Sequence, residues 1–377
     1  MQSRSVRSNG MALVAVASAL AGLACSSTVS PDDGGGGGGT TSSSEGGGQT
    51  EGGASAAGGA GQGGSTIAAP GTGGGAEGGG GAGGAPSVSD PNAPGPYAFE
   101  EVVEDITVPA TDSTFEVTAL IPSSGPSDGP YPVVVIAHGF QLPASQYRNY
   151  AERLASFGYV AILADYPTSF FGLSHVDVAN DLLGALDWAA TADALAGQVD
   201  VTAVGMTGHS LGGKASLLAA TLDDRVDAVI ALDPVDSSMS CSPQDCPDVS
   251  SLMSALQIPT GFLGEPLDGA GGFQPCAPAA DNYQTFYAGA LSPSFEVTVL
   301  GANHMSFLDD VASCGFTCSF CNMAMLDNAT VNGMSRAYVV AFYERHLRNN
   351  TGYDTYLTGQ KAQDLYVTPG IATIVSK

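Results

Sequence analysis

The chain is short of positive charge. Its 377 residues hold 11 Lys and Arg against 37 Asp and Glu, a formal net charge of −26. So acidic a surface is repelled by nucleic acid and by anionic lipid, so no nucleic-acid partner is expected, and neutral or cationic ligands fit better. Bulky apolar residues are missing from one region. Between about residue 34 and residue 85, where glycine crowds, apolar residues larger than alanine almost vanish. Such a stretch cannot bury enough apolar surface to offset the entropy of ordering it, so a disordered linker is expected; it also lacks the Gly-X-Y period of collagen. Long apolar runs are scarce too. Met11 to Ala24, interrupted only by Ser18, falls short of the roughly 20 apolar residues that span a bilayer. Tryptophan occurs once, at Trp188, and no internal repeat is visible.

What is present at the N-terminus reads as an export signal. Arg4 and Arg7 supply the positive flank of the apolar run. The run ends in Leu23-Ala24-Cys25 followed by Ser26, which resembles a bacterial lipoprotein signal with Cys25 as the lipidated residue, although Gly22 stands where Leu is usual. The expected organisation is a signal over 1–25, a Gly/Ser-rich linker over 26–96 and one folded domain over 97–377. A linker of that length has a mean reach of roughly 45–50 Å. The expected location is the bacterial cell envelope, anchored through Cys25, or the medium; the membrane is touched only through that anchor. Six cysteines follow: Cys241, Cys246, Cys276, Cys314, Cys318 and Cys321. An even number in an exported chain suggests disulfides, with the connectivity open. The run Cys314-x3-Cys318-x2-Cys321 also hints at zinc, but no second cluster with histidine accompanies it, so no metal or cofactor is expected.

From Tyr97 onward the pattern changes. Residues 99–108 and 115–121 alternate like half-buried strands and suit an opening antiparallel hairpin. Tyr131 to Ala137 and Gly158 to Ala164 are continuous apolar runs, as in strands buried on both faces. Helical spacing marks 144–157 and 176–190. Strand 201–207, a helix from Leu211, strands 226–232, 259–263 and 295–300, and a last long helix over about 333–347 complete the series. Strands alternating with helices predict an α/β domain with a mostly parallel sheet covered on both faces.

The chemistry centres on Gly208-His209-Ser210-Leu211-Gly212, a Gly-x-Ser-x-Gly between a buried strand and a helix. A nucleophilic Ser needs a tight strand-to-helix turn to lift its hydroxyl clear of the sheet, and glycines two residues to either side let the backbone crowd that turn. The helix N-terminus then offers the Leu211 N–H to an oxyanion. His138-Gly139-Phe140 ends an earlier buried strand, and the loop there is expected to add the Phe140 N–H as the second donor. His138 itself reads as structural. A general base is expected downstream of the Ser. His304 follows a late strand and is preferred over His346, which reads as a surface residue of the C-terminal helix; His175 and His209 precede the Ser and are set aside. For the acid, Asp233 ends strand 226–232 and Asp268 follows the next strand, and spacing alone leaves both open.

Taken together, Pro132 to Gly139, Gly208 to Lys214, Leu232-Asp-Pro-Val-Asp236, Gln274 to Pro278 and His304 to Asp310 resemble the chlorophyllase-like serine esterases. These are relatives of the dienelactone hydrolases and the cutinase-like polyester hydrolases, all of the α/β-hydrolase fold. The resemblance covers about residues 99–350. It implies a carboxylic ester hydrolase with a Ser210–His304–Asp233 triad, because in the chlorophyllase-like enzymes the acid follows the strand after the nucleophile helix; Asp268 matches the acid position of the polyester hydrolases. Two departures bear on substrate. Leu211 stands where plant chlorophyllases have Arg, and the only Trp lies upstream of the Ser rather than after its helix. The implied substrate is therefore a small-molecule or polymeric ester with an apolar acyl part. The readings set against this one are a tethered binding module on a hydrolase scaffold, and an amidase or peptidase with the same machinery.

Overall fold

The computed structural model describes residues 88–169, 172–236, 241–270 and 275–377. The proposed signal, Cys25 and the glycine-rich stretch lie outside the described residues. None of the described helices is long and apolar enough to cross a membrane.

Nine strands form one sheet. The opening hairpin is β1 (Ala98–Val108) and β2 (Ser113–Ser124), antiparallel to each other. β3 (Tyr131–Ala137) and β4 (Val160–Ala164) follow, then β5 (Val199–His209), β6 (Val226–Leu232), β7 (Thr260–Gly264), β8 (Ser294–Val299) and β9 (Ala372–Ser376). Their order is β1-β2-β4-β3-β5-β6-β7-β8-β9. The six strands from β4 to β8 are parallel; β2 and β9 pair antiparallel at the two margins. The chain runs outward from β3 to β4 and then returns across β3 to place β5, so the strand order reverses between β3 and β5. In open α/β sheets the crevice beyond the strand ends at such a reversal is where ligands bind.

The apolar runs explain the layers. Along β3, Val134 and Ile136 face one side while Val133, Val135 and Ala137 face the other, all fully buried. The first face is covered by α1 (Arg148–Ser156) and α5 (Asn328–His346) through Tyr150, Leu154, Tyr338 and Phe342. The second is covered by α2 (His175–Thr191), α3 (Leu211–Leu222) and α4 (Tyr283–Gly289) through Leu182, Leu186, Leu217 and Phe286. Each such side chain, fully buried, contributes about 1.5–3 kcal/mol of transfer free energy. This is the α/β-hydrolase arrangement.

Several details differ from the periodicity. The expected helix 144–157 is split: a 3₁₀ turn over Ala144–Tyr147 precedes α1, because Asp165 takes the Ala144 N–H and the Tyr147 backbone leaves helical angles. α5 begins earlier than expected, where the Asp327 side chain accepts the Thr330 N–H as a cap. It is not the last element, since the chain goes on to β9. Both α4 and β9 are too short and too mixed in pattern to stand out in sequence. His346 is a correction: it is half-buried and lies 4.8 Å from the Phe342 ring, and burial pushes its imidazole down to about 4. Before Tyr97, Gly95 N–H donates to Ser156 Oγ and Tyr366 Oη donates to Asn92, so contacts with the body begin within residues 88–96.

Candidate active site

Ser210 stands between β5 and α3 with φ 55° and ψ −119°, a backbone that L-residues rarely adopt. The turn is closed by glycine. A Cβ on Gly208 would come within 2.5 Å of Gly212 C, and one on Gly212 within 2.4 Å of Ala137 O. Only bare backbone lets α3 start this close to β3 and β5. Ser210 occupies the N-cap of α3, yet its hydroxyl makes no capping bond. The hydroxyl is instead 2.9 Å from His304 Nε2.

His304 arrives from the loop after β8, and Asp233 from the end of β6. His304 Nδ1 lies 2.6 Å from Asp233 Oδ2. Asp233 is fully buried and, like Ser210, has a positive φ, 44°. Its N–H donates to Leu263 O at 2.6 Å, so the strand pairing of β6 with β7 reaches the carboxylate itself. Burial pushes the Asp233 carboxyl up, while the hydrogen bond from His304 pulls it back. A carboxylate only accepts, so the His304 proton sits on Nδ1 and Nε2 presents a lone pair to Ser210.

Asp268 does something different. Its Oδ2 accepts the backbone N–H of His304 at 2.9 Å, and its Oδ1 accepts both the N–H and the Nδ2–H of Asn322 at 2.7 and 2.9 Å. It therefore grips the peptide of His304, while Asp233 meets the ring. The other side of that residue is held by His209, whose Nε2–H donates to His304 O at 2.8 Å. His209 Nδ1 accepts from Tyr147 Oη at 2.8 Å, and that oxygen accepts the Gly139 N–H at 3.1 Å. Burial, then the neighbouring His304, holds the His209 imidazole well below its usual range, as a neutral donor–acceptor requires. His209 was set aside in sequence for preceding the Ser; its place inside the Gly-x-Ser-x-Gly was the only available signal.

Leu211 is the first residue of α3, so its N–H has no acceptor within the helix. Phe140 lies half-exposed in the turn after β3. That turn is braced: Gln141 N–H donates to Thr168 Oγ1 at 3.0 Å and Leu142 N–H to Gly139 O at 3.1 Å. His138 stays away from Ser210. Its ring nitrogens face Gly139 O and Tyr166 O at 2.8 and 2.9 Å, and it stacks on Tyr166.

The cysteines pair as Cys241–Cys246, Cys276–Cys321 and Cys314–Cys318. Of the run Cys314, Cys318 and Cys321, the first two bond to each other and the third reaches back to Cys276. Trp188 is far from this chemistry in function, with its Nε1–H donating to Glu104 on β1.

Ser210, Asp233 and His304 thus come together beyond the carboxyl ends of β5, β6 and β8, in a sheet of the α/β-hydrolase type. The chlorophyllase family model matches residues 95–364, and the chain belongs to the chlorophyllase family. It is 27% identical over 285 residues to a bis(hydroxyethyl) terephthalate hydrolase of Streptomyces coelicolor, covering 73% of this chain and 79% of that one. It is 25% identical over 199 residues to chlorophyllase-2 of Arabidopsis thaliana, covering 48% of this chain and 62% of that one, less than two thirds of the plant enzyme. With chlorophyllase-1 of the same plant the identity is 29% over 198 residues, 48% of this chain and 60% of the other. These relatives are ester hydrolases, and the chain is a carboxylic ester hydrolase.

Proposed function

We propose that the chain is an exported serine esterase that works through an acyl-enzyme on Ser210. The reading rests on one observation above all: His304 bridges Ser210 Oγ and Asp233 Oδ2 at 2.9 and 2.6 Å. Ser210 Oγ attacks the ester carbonyl carbon while His304 Nε2 takes the hydroxyl proton. The tetrahedral oxyanion is met by the N–H groups of Phe140 and Leu211. The C–O bond to the alcohol breaks, and the Nε2 proton goes to the leaving oxygen. Water then attacks the acyl carbon, loses its proton to His304, and the acid departs as Ser210 recovers its own. Asp233 keeps the Nδ1–H tautomer throughout and stabilises the imidazolium.

The substrate is an ester with an apolar acyl part, small or polymeric. The name of the Streptomyces relative makes bis(hydroxyethyl) terephthalate a fitting probe. A p-nitrophenyl series from acetate to palmitate, run beside it on the purified protein, reads acyl preference. Ser210→Ala should lower kcat/KM by at least about a thousandfold with the fold intact by circular dichroism. Retention of most activity sinks the assignment.

The domain plan goes with this reading: residues 1–25 as signal, 26–96 as tether and 97–377 as the catalytic body, with Cys25 as the lipid attachment. Cys25→Ser should move the protein from the membrane fraction to the soluble one. Equal membrane retention of both forms rejects the anchor.

A further inference from the structure

A third acid lies behind the Asp233–His304 pair. Glu265 follows β7 directly and is fully buried. Its Oε2 accepts the Asp268 N–H at 2.9 Å, and its own N–H donates to Asp233 Oδ1 at 3.3 Å. A carboxylate oxygen of Glu265, one of Asp233 and a ring nitrogen of His304 lie within 4.8 Å of one another. Glu265 Oε1 is buried without a hydrogen-bond partner. Among the described residues, the titratable groups facing it are Asp233 at the end of β6, Asp268 in the turn after β7, His304 after β8, and Tyr283 on α4. Among the described residues no Lys or Arg pairs with it.

We propose that Glu265 works as a neutral carboxylic acid, a positioning residue that leaves Asp233 as the carboxylate charge facing the His304 ring. The physical case rests on the unpartnered oxygen. A buried carboxylate oxygen without a donor keeps the full desolvation penalty of its charge, and a second full charge beside Asp233 adds like-charge repulsion. A proton on Oε1 removes both. Burial, then the charge of Asp233, pushes the Glu265 carboxyl up to about 9, consistent with that geometry. Two neighbouring buried carboxyls share their protons unequally; the hydrogen bond from His304 Nδ1 selects Asp233 as the charged one.

The inference rests on Asp233 as the triad acid, and the test separates the two. Glu265→Gln keeps an acceptor for the Asp268 N–H and a donor in place of the acid proton, so it removes no charge if Glu265 is neutral. The acid limb of kcat/KM on p-nitrophenyl acetate, set by the general base, should then keep its midpoint. At the alkaline end, the wild type should show an inflection near 9 that the variant lacks. Difference infrared spectra of the wild type should show a protonated-carboxyl band at neutral pH that fades as pH rises through that value, a readout that stands even if the variant folds poorly. An acid limb moved to lower pH in the variant means that a negative charge was lost, and overturns the proposal. So does a wild type without the band. If Asp233→Asn still abolishes turnover when either occurs, only the Glu265 inference falls.

Discussion

Two regions meet at Asp268 and are held in place in opposite ways. On one side are the strand ends that carry Ser210, Asp233 and His304. They are buried or nearly so, and each is tied to the sheet or its loops by backbone hydrogen bonds, such as Ser210 N–H to Leu232 O and Asp233 N–H to Leu263 O. On the other side is the segment 311–325, made of two short 3₁₀ turns, Val311–Ser313 and Gly315–Phe320. It exposes Phe320, Met323 and Met325 at 65%, 90% and 79%, the most exposed large apolar side chains among the described residues. Val311, Cys314, Cys318 and Cys321 pack only partly buried against the core, and the segment is further held by Cys314–Cys318, by Cys276–Cys321 and by Asn322 on Asp268. Where a sheet and two apolar layers exist, burial and backbone hydrogen bonds hold the strand ends. At its margin, covalent cross-links and one buried carboxylate supplement a partial apolar contact.

The sharpest way to break this comparison is to remove an acid from each side of the meeting point. Asp233→Asn should leave the protein folded but favour the wrong His304 tautomer, lowering kcat/KM by up to about ten-thousandfold on a soluble ester. Asp268→Asn should cost far less, on the order of tenfold. The Asn oxygen can still accept the His304 N–H, but its amide then faces the two donors of Asn322 with a donor of its own. The expected sign of that clash is faster hydrogen exchange in 311–325. A reversed ranking, with the large loss at Asp268, would return the acid to the polyester-hydrolase position.

The smallest effect should come from the cross-link. Replacing Cys276 and Cys321 together by Ser removes a bridge that closes a 45-residue separation. The loss should be about 2–4 kcal/mol in stability, read as a lower denaturant midpoint, with kcat/KM on p-nitrophenyl acetate changed only a few-fold. A collapse of activity in a folded double variant would show that the bridge, and not the sheet, sets the position of His304.

Much of this was legible in residues alone because the information is local. Gly208 and Gly212 around Ser210, between an apolar strand and a helix, describe a turn whose steric demands are met within five residues. The hairpin and the parallel strands follow from runs and alternation that report burial directly. The same reasoning pointed to His304, since it is one of two histidines after the Ser and follows a late strand. It failed for His209, which was judged by its order in the chain; what matters for it is a contact with His304 O across 95 residues.

What the sequence by itself determined is the set of parts: an acidic chain, a glycine-rich stretch, an α/β layer plan and a serine on a glycine-flanked turn. The tertiary structure is what tells Asp233 and Asp268 apart: both follow neighbouring strands and both reach His304, one at the ring and one at the peptide. It also decided which cysteines pair, and placed Glu265 beside Asp233 with an oxygen left unpartnered. The physical reason is distance along the chain, except for the two short-range cysteine pairs, where six cysteines leave the connectivity open to sequence. Periodicity and turn chemistry act over a few residues, whereas the His304 contacts, the Glu265–Asp233 approach and the Cys276–Cys321 bridge depend on distances of a few ångströms between segments that the chain separates by tens of residues.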